Sequence, residues 1–207
     1  MKKMCFIEME GVLLPFGSYS PNKSKVKKFL KALTFFCKKN KIVLYLVSGH
    51  HSSVASKKLL KSKLDSFFQK ENFFCVSDEY ISKKTDADKK LHLDCLAKDP
   101  EFVDSYFKQV LIQEKLIEHN LLQKDVLLLS DDVWVDGYYT VKFSNVDFAI
   151  FEENVCDRGK KIPKVEGLAY FNLGFSSVEP LLKDFPRVDL SFLDRYVFNE
   201  MKKVLVG

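Results

Sequence analysis

Two runs of the chain are apolar almost from end to end: "IVLYLVSG" at 42–49 and "VLLLS" at 126–130. A strand with one face in water alternates apolar and polar residues, whereas a strand covered on both faces reads as a continuous apolar run. Four further runs are similar: "MCFIEM" at 4–9, "FFCV" at 73–76, "DFAIF" at 147–151 and "GLAYFNL" at 167–173. Strands covered on both faces need helices above and below, and the segments between the runs read as helices. This alternation predicts an α/β fold, a doubly wound parallel sheet with helices on both faces.

The helical segments carry their own signals. "SPNKSKVKKFLKALTFFCKKN" places Val26, Phe29, Leu30, Leu33, Phe36 and Cys37 on one face, with Ser20 as cap and Pro21 at the first position. A second helix after residue 50 is expected to bury Val54, Leu60, Leu64, Phe67 and Phe68. Thr85-Asp86-Ala87-Asp88 is a capping-box-like start. A fourth helix begins at Asp99-Pro100 and carries Phe102, Val103, Tyr106, Phe107 and Val110, and the tail "SFLDRYVFNEMKKVL" is a last amphipathic helix with Ser191 and Asp194 at its start. With no repeat or linker, residues 1–207 read as one domain.

Composition narrows the function classes. Hydrophobic residues at 46% and charged residues at 29% exclude a disordered chain. The net charge of +5 comes from 33 basic against 28 acidic residues, and the lysines at 23–41 and 57–63 recur with helical spacing. Solvated helix faces are expected there, not a nucleic-acid surface. Five cysteines, odd in number and without a C-x-x-C pair, mostly sit among apolar residues and read as reduced core thiols. Glu8 and Glu10 interrupt the first apolar run too early for a signal peptide, and no apolar run reaches the ~20 residues of a membrane span. A cytoplasmic protein without a membrane partner is expected.

The chemistry lies where the strands stop. In parallel α/β sheets ligands bind beyond the carboxyl ends of the strands. Here three strands end in polar groups: Glu8 and Glu10, then Ser48-Gly49, then Asp131 and Asp132 with Asp136 shortly after. Carboxylates crowded on one edge are costly without a compensating cation. Oxygen ligands without neighbouring cysteine suit a hard ion, and Mg²⁺ is expected. Gly11 lets the chain turn away close to the site. Ser48 is open to two roles, phosphate donor or cap of the next helix.

These residues resemble the motifs of the haloacid dehalogenase superfamily, mostly phosphatases and phosphotransferases. Glu8-Met9-Glu10-Gly11-Val12 occupies the frame of that family's Asp-x-Asp-Gly-Thr/Val strand end; Ser48 matches its second motif. Lys108, 23 residues before Asp131, matches the third, and "SDDVWVD" the fourth. The resemblance runs over roughly residues 4–151, and Glu at the second acidic position is similar to the branch related to phosphoserine phosphatases.

It implies a Rossmannoid sheet and a Mg²⁺-dependent phosphohydrolase or phosphotransferase acting on a phosphorylated small molecule or macromolecule. It implies Glu8 at the place of the nucleophile, Glu10 as general acid and base, Lys108 as charge compensator, Ser48 and Gly49 at the phosphate, and Glu8, Asp131, Asp132 and Asp136 around Mg²⁺. It also implies at most a small helical cap insertion, at 78–107. Glu8 departs from the pattern: one extra methylene moves the attacking oxygen by ~1.5 Å, and a ~1 Å misplacement can cost ~10²-fold in rate. The alternative is therefore a non-catalytic relative that binds a phosphorylated ligand or a protein partner.

Overall fold

The structure, a computed structural model, describes residues 1–15, 23–76, 78–79, 85–98, 100–152, 167–186, 190 and 193. Six strands form one parallel sheet: β1 (Met4–Glu8), β2 (Val43–Ser48), β3 (Phe73–Cys75), β4 (Val126–Ser130), β5 (Asp147–Phe151) and β6 (Ala169–Phe171). Their spatial order is β3-β2-β1-β4-β5-β6. The winding runs outward from β1 in one direction and outward from β4 in the other. The β1–β4 junction is therefore the switch point, where crossovers leave on opposite sides and open a crevice.

Each strand alternates its side chains between two cores. Cys5, Ile7, Leu44, Leu46, Leu127 and Leu129 face helices α1 (Lys23–Lys39), α2 (Ser52–Ser62) and, with Phe171, the helix Phe175–Lys183. Met4, Phe6, Tyr45, Val47, Val126 and Leu128 face the other way, onto Phe107, Leu111, Ile112 and Leu116 of the helix Pro100–Glu118. These last helices are α5 and α4, and α3 is Asp86–Lys98. All six expected strands form, with helices on both faces, because runs apolar at every position have two cores to enter.

The expected face of α1 is buried as read, apart from Phe36, which is half-buried. Ser20 and Pro21, the tail helix from 191 and Cys156 lie outside the described residues. The expected face of α2 is corrected. Val54 and Leu60 are exposed, and Ala55, Lys58, Leu59 and Ser62 are buried. Lys63 adopts φ 55°, ends the helix, and sends Leu64 into the core outside the helical register. Thr85 caps α3 as expected: its hydroxyl accepts from the Asp88 N–H at 3.2 Å and the Asp88 carboxylate accepts from the Thr85 N–H at 3.3 Å. The 78–107 segment holds α3 and the first two turns of α4, which runs on unbroken into the turn bearing Lys108. Cys5, Cys37, Cys75 and Cys95 are free thiols.

Candidate active site

Parity decides what the end of β1 can meet. Glu8 shares its face with Met4 and Phe6 and so looks toward α4. On α4, Lys108 precedes Leu111 and Ile112 by three and four residues, so it sits on the buried stripe. Its side chain is 1% exposed, and Nζ lies 2.6 Å from Glu8 Oε1 and 2.8 Å from Asp136 Oδ1. Asp136 is brought back to β4 by a π-type turn over Val133–Gly137, in which the Gly137 N–H bonds the Asp132 carbonyl. Such widened turns recur at functional sites because they re-aim one side chain.

Ser130, the last residue of β4, completes the group. Its Oγ lies 2.6 Å from Glu8 Oε2 and also bonds Asp136 Oδ2, while accepting from the Asp132 N–H at 3.3 Å. One hydroxyl carries one proton, so it can donate to only one of the two carboxyls. Burial, followed by the Asp136 charge, pushes Glu8 well above the usual carboxyl range. Asp136 is as deeply set, but Lys108 and its hydrogen bonds outweigh burial and hold it low. Among the described residues two carboxyls thus meet one ammonium, that of Lys108, an excess of acid over base.

Asp131 adds to that excess. It is buried, and burial, then Asp136 and Asp132, raise its pKa to about 7. Among the described residues no cationic side chain bonds its carboxylate. A Cβ at Gly11 would stand 2.0 Å from that carboxylate, and Gly11 has φ +82°, so only glycine fits there. The Gly11 N–H bonds the Leu14 carbonyl at 2.8 Å and closes the turn after β1. Asp132, by contrast, spends its Oδ1 on the Val135 N–H at 3.0 Å, capping the turn that presents Asp136.

The donor set suits a hard cation. Among the described residues Glu8, Asp131 and Asp136 face a single ammonium, that of Lys108, all donors are oxygens, and Mg²⁺ takes one or two carboxylates with waters completing its shell. Among the described residues no three His, Cys, Asp or Glu side chains already converge on one point as a closed cage would require.

The second acid points elsewhere. Glu10 Oε1 bonds Lys58 Nζ and Oε2 bonds His50 Nε2, and those two nitrogens lie 3.0 Å apart. Lys58 is only 5% exposed, and burial lowers its pKa. This corrects the reading of the 57–63 lysines as a solvated face at one position: Lys57, Lys61 and Lys63 are exposed as expected, but Lys58 falls on the inner side of α2 beside Ala55, Leu59 and Ser62. Ser48 is buried, and its Oγ accepts from the His50 N–H at 3.2 Å. It does not cap α2. His51 does, accepting from the Ser53 N–H, with its Nε2 3.0 Å from Asp78 Oδ1. Among the described residues the Ser48 hydroxyl proton has no acceptor, so Ser48 keeps a donor to give. Tyr138 packs edge-on against Tyr139.

The structure thus brings together Glu8, Lys108, Asp136 and Asp131, and brings Glu10, in the turn after β1, against His50, whose turn after β2 also carries Ser48. Ser130 and Lys58 were missed. Ser130 had a signal, as the polar end of an apolar strand; Lys58 had none, since a lysine among lysines reads as solvent-facing.

No family model matches the sequence, and no curated protein matches it. The fold is shared with the crystal structure of yhjK, a haloacid dehalogenase-like hydrolase protein from Bacillus subtilis, at a TM-score of 0.51 and 7% identity over 90% of this chain and 93% of that one. The chain therefore has the haloacid dehalogenase-like fold. No helix among the described residues is long and apolar enough to cross a membrane.

Proposed function

We propose that the chain binds the phosphoryl group of a phosphomonoester together with Mg²⁺ at the β1–β4 switch point, and that it is a phosphohydrolase or phosphotransferase slowed by Glu8. The observation that carries this reading is Lys108, a wholly buried lysine held between the end of β1 and the turn after β4. A buried ammonium between two carboxylates is expensive to maintain for stability alone, and here it sits where the fold binds ligands.

In this reading Glu8 supplies the attacking oxygen, forming the bond to phosphorus as the leaving-group oxygen departs. Glu10 gives that oxygen a proton and afterwards takes one from the water that hydrolyses the acyl phosphate. Lys108 offsets the charge on Glu8 and the phosphoryl oxygens, and Ser48 donates to one of them. Asp131, with Glu8, would hold Mg²⁺, which when bound screens the phosphoryl charge; Asp136 and Asp132 support the site through Lys108 and the capped turn.

Glu8 argues for low turnover. Its longer side chain is held at both oxygens, by Lys108 and Ser130. The second reading, a protein that binds a phosphorylated ligand without turnover, is favoured by this same double anchorage. The test is Mg²⁺-dependent hydrolysis of a generic phosphomonoester by the wild type, Glu8→Asp and Asp131→Asn. Glu8→Asp is expected to exceed the wild type by about 10²-fold, and Asp131→Asn to be silent. Activity in the wild type that survives Asp131→Asn would refute the site. Silence in Glu8→Asp would favour the binding reading.

A further inference from the structure

We propose that Lys58 and His50 form an oxyanion subsite beside the phosphoryl site, engaged by Glu10 from within the chain and open to exchange with a carboxylate carried by the phosphorylated ligand. This deepens the function proposed above and rests on it.

The geometry points to a subsite and not to a simple ion pair. Two donors from different elements, His50 in the turn after β2 and Lys58 two turns into α2, each take a different oxygen of one carboxylate. That is bidentate recognition of a planar oxyanion, the arrangement in which charge-assisted hydrogen bonds are strongest. Lys58 is buried and must keep an anion against it, but that anion need not be Glu10. The His50 side chain is 37% exposed, so the cluster reaches solvent and an incoming anion has a way to it.

The placement fits a ligand that spans both sites. Glu10 is two residues beyond Glu8, so their Cα atoms are at most about 7 Å apart. The turn that carries His50 also carries Ser48, whose Oγ accepts from the His50 N–H. The phosphate donor Ser48 and one donor of the subsite, His50, therefore sit on one short turn. A carboxylate now fills the subsite, which is why the second group on the ligand is assigned as a carboxylate. Exchange would also release Glu10 from its clamp toward the departing oxygen. The resulting substrate class is a phosphate ester of a hydroxy acid.

The probes are 3-phosphonopropionate and propylphosphonate, which cannot be hydrolysed and differ only in the carboxylate. Binding to the full chain is measured by calorimetry with Mg²⁺ present. The wild type should prefer 3-phosphonopropionate by about tenfold or more, the worth of one charge-assisted hydrogen bond. Lys58→Met should remove the preference, and His50→Asn, at a partly exposed position, should weaken it several-fold. Glu10→Gln should strengthen the preference, because the internal competitor has gone; a merely structural ion pair would not do this. Equal binding of both probes to the wild type, or a preference unchanged in Lys58→Met and His50→Asn, overturns the subsite and leaves the phosphoryl site standing. Failure of both probes to bind overturns the phosphoryl site and the subsite together.

Discussion

Two lysines are buried at opposite ends of the same sheet, and they are not alike. At the amino edge Lys2 bonds the Asp147 carboxylate at the start of β5 and donates to the Lys124 and Val126 carbonyls at 2.8 and 3.4 Å. Among the described residues one carboxylate is seen against this ammonium, which also donates to backbone oxygens. At the carboxyl edge Lys108 meets Glu8 and Asp136, with Asp131 close enough to raise Glu8 further. The first arrangement is balanced and reads as structure. The second carries more negative charge than its lysine can offset, which is the condition under which a site takes up a proton, a cation or both.

The largest effect should come from breaking the crowded end. Lys108→Met is expected to cost about 3–5 kcal/mol in urea unfolding. Adding Asp136→Asn should recover only part, since Glu8 and Asp131 remain. Lys2→Met should also destabilise, by about 3 kcal/mol, but Lys2→Met with Asp147→Leu should return to within about 1 kcal/mol of the wild type, because a matched buried pair can be replaced by apolar groups at little cost. Full recovery in the Lys108 pair, or none in the Lys2 pair, would erase the contrast.

Next in size is Mg²⁺. At about 100 times its dissociation constant a cation that binds only the folded chain stabilises it by about 2.7 kcal/mol, which a thermal melt would register. Asp131→Asn should abolish that shift and Lys2→Met should leave it intact. A shift that persists in Asp131→Asn would move the cation elsewhere.

A last effect, read one pH unit at a time, lies between the two ends, in the apolar core. Burial pushes Cys37 up to about 12, and burial first, with Asp78 and Glu79, does the same for Cys75. Both thiols stay protonated in the folded chain after the unfolded chain has released its protons, so their contribution to stability is full below about pH 9 and is lost as pH rises toward 12. Unfolding curves should show a loss of about 1.4 kcal/mol per thiol for each pH unit within that window, and Cys37→Ala should lessen the slope. An unchanged slope would mean that Cys37 already ionises in the fold.

The contrast also marks what a sequence can say. The sheet was legible because its strands are apolar at every position, and the acids after β1 and β4 were legible as polar groups at strand ends. Lys108 was found only through motif spacing; nothing in its neighbours Phe107 and Gln109 distinguishes it from a solvated lysine. Lys58 stayed hidden for the same reason, and α2 was read on the wrong face because Leu60 looks like core while Lys58 looks like surface. Hydrophobic periodicity orders residues by affinity for water, and it fails where a charge is buried against an opposite charge. The αL residue Lys63, which breaks the register before Leu64, has no sequence signal that a glycine would have given.

The strand order has a last consequence, in time. Glu8 and Ser130 touch across 122 residues of chain. At synthesis rates of ~5–20 residues per second, β4 emerges roughly 6–24 s after β1. During that interval β1 can pair with β2 on one side while its other edge stays bare, a hazard for intermolecular pairing. The edge that later forms the switch point is thus left bare until β4 arrives, and the acids at its end add a charge that discourages wrong partners.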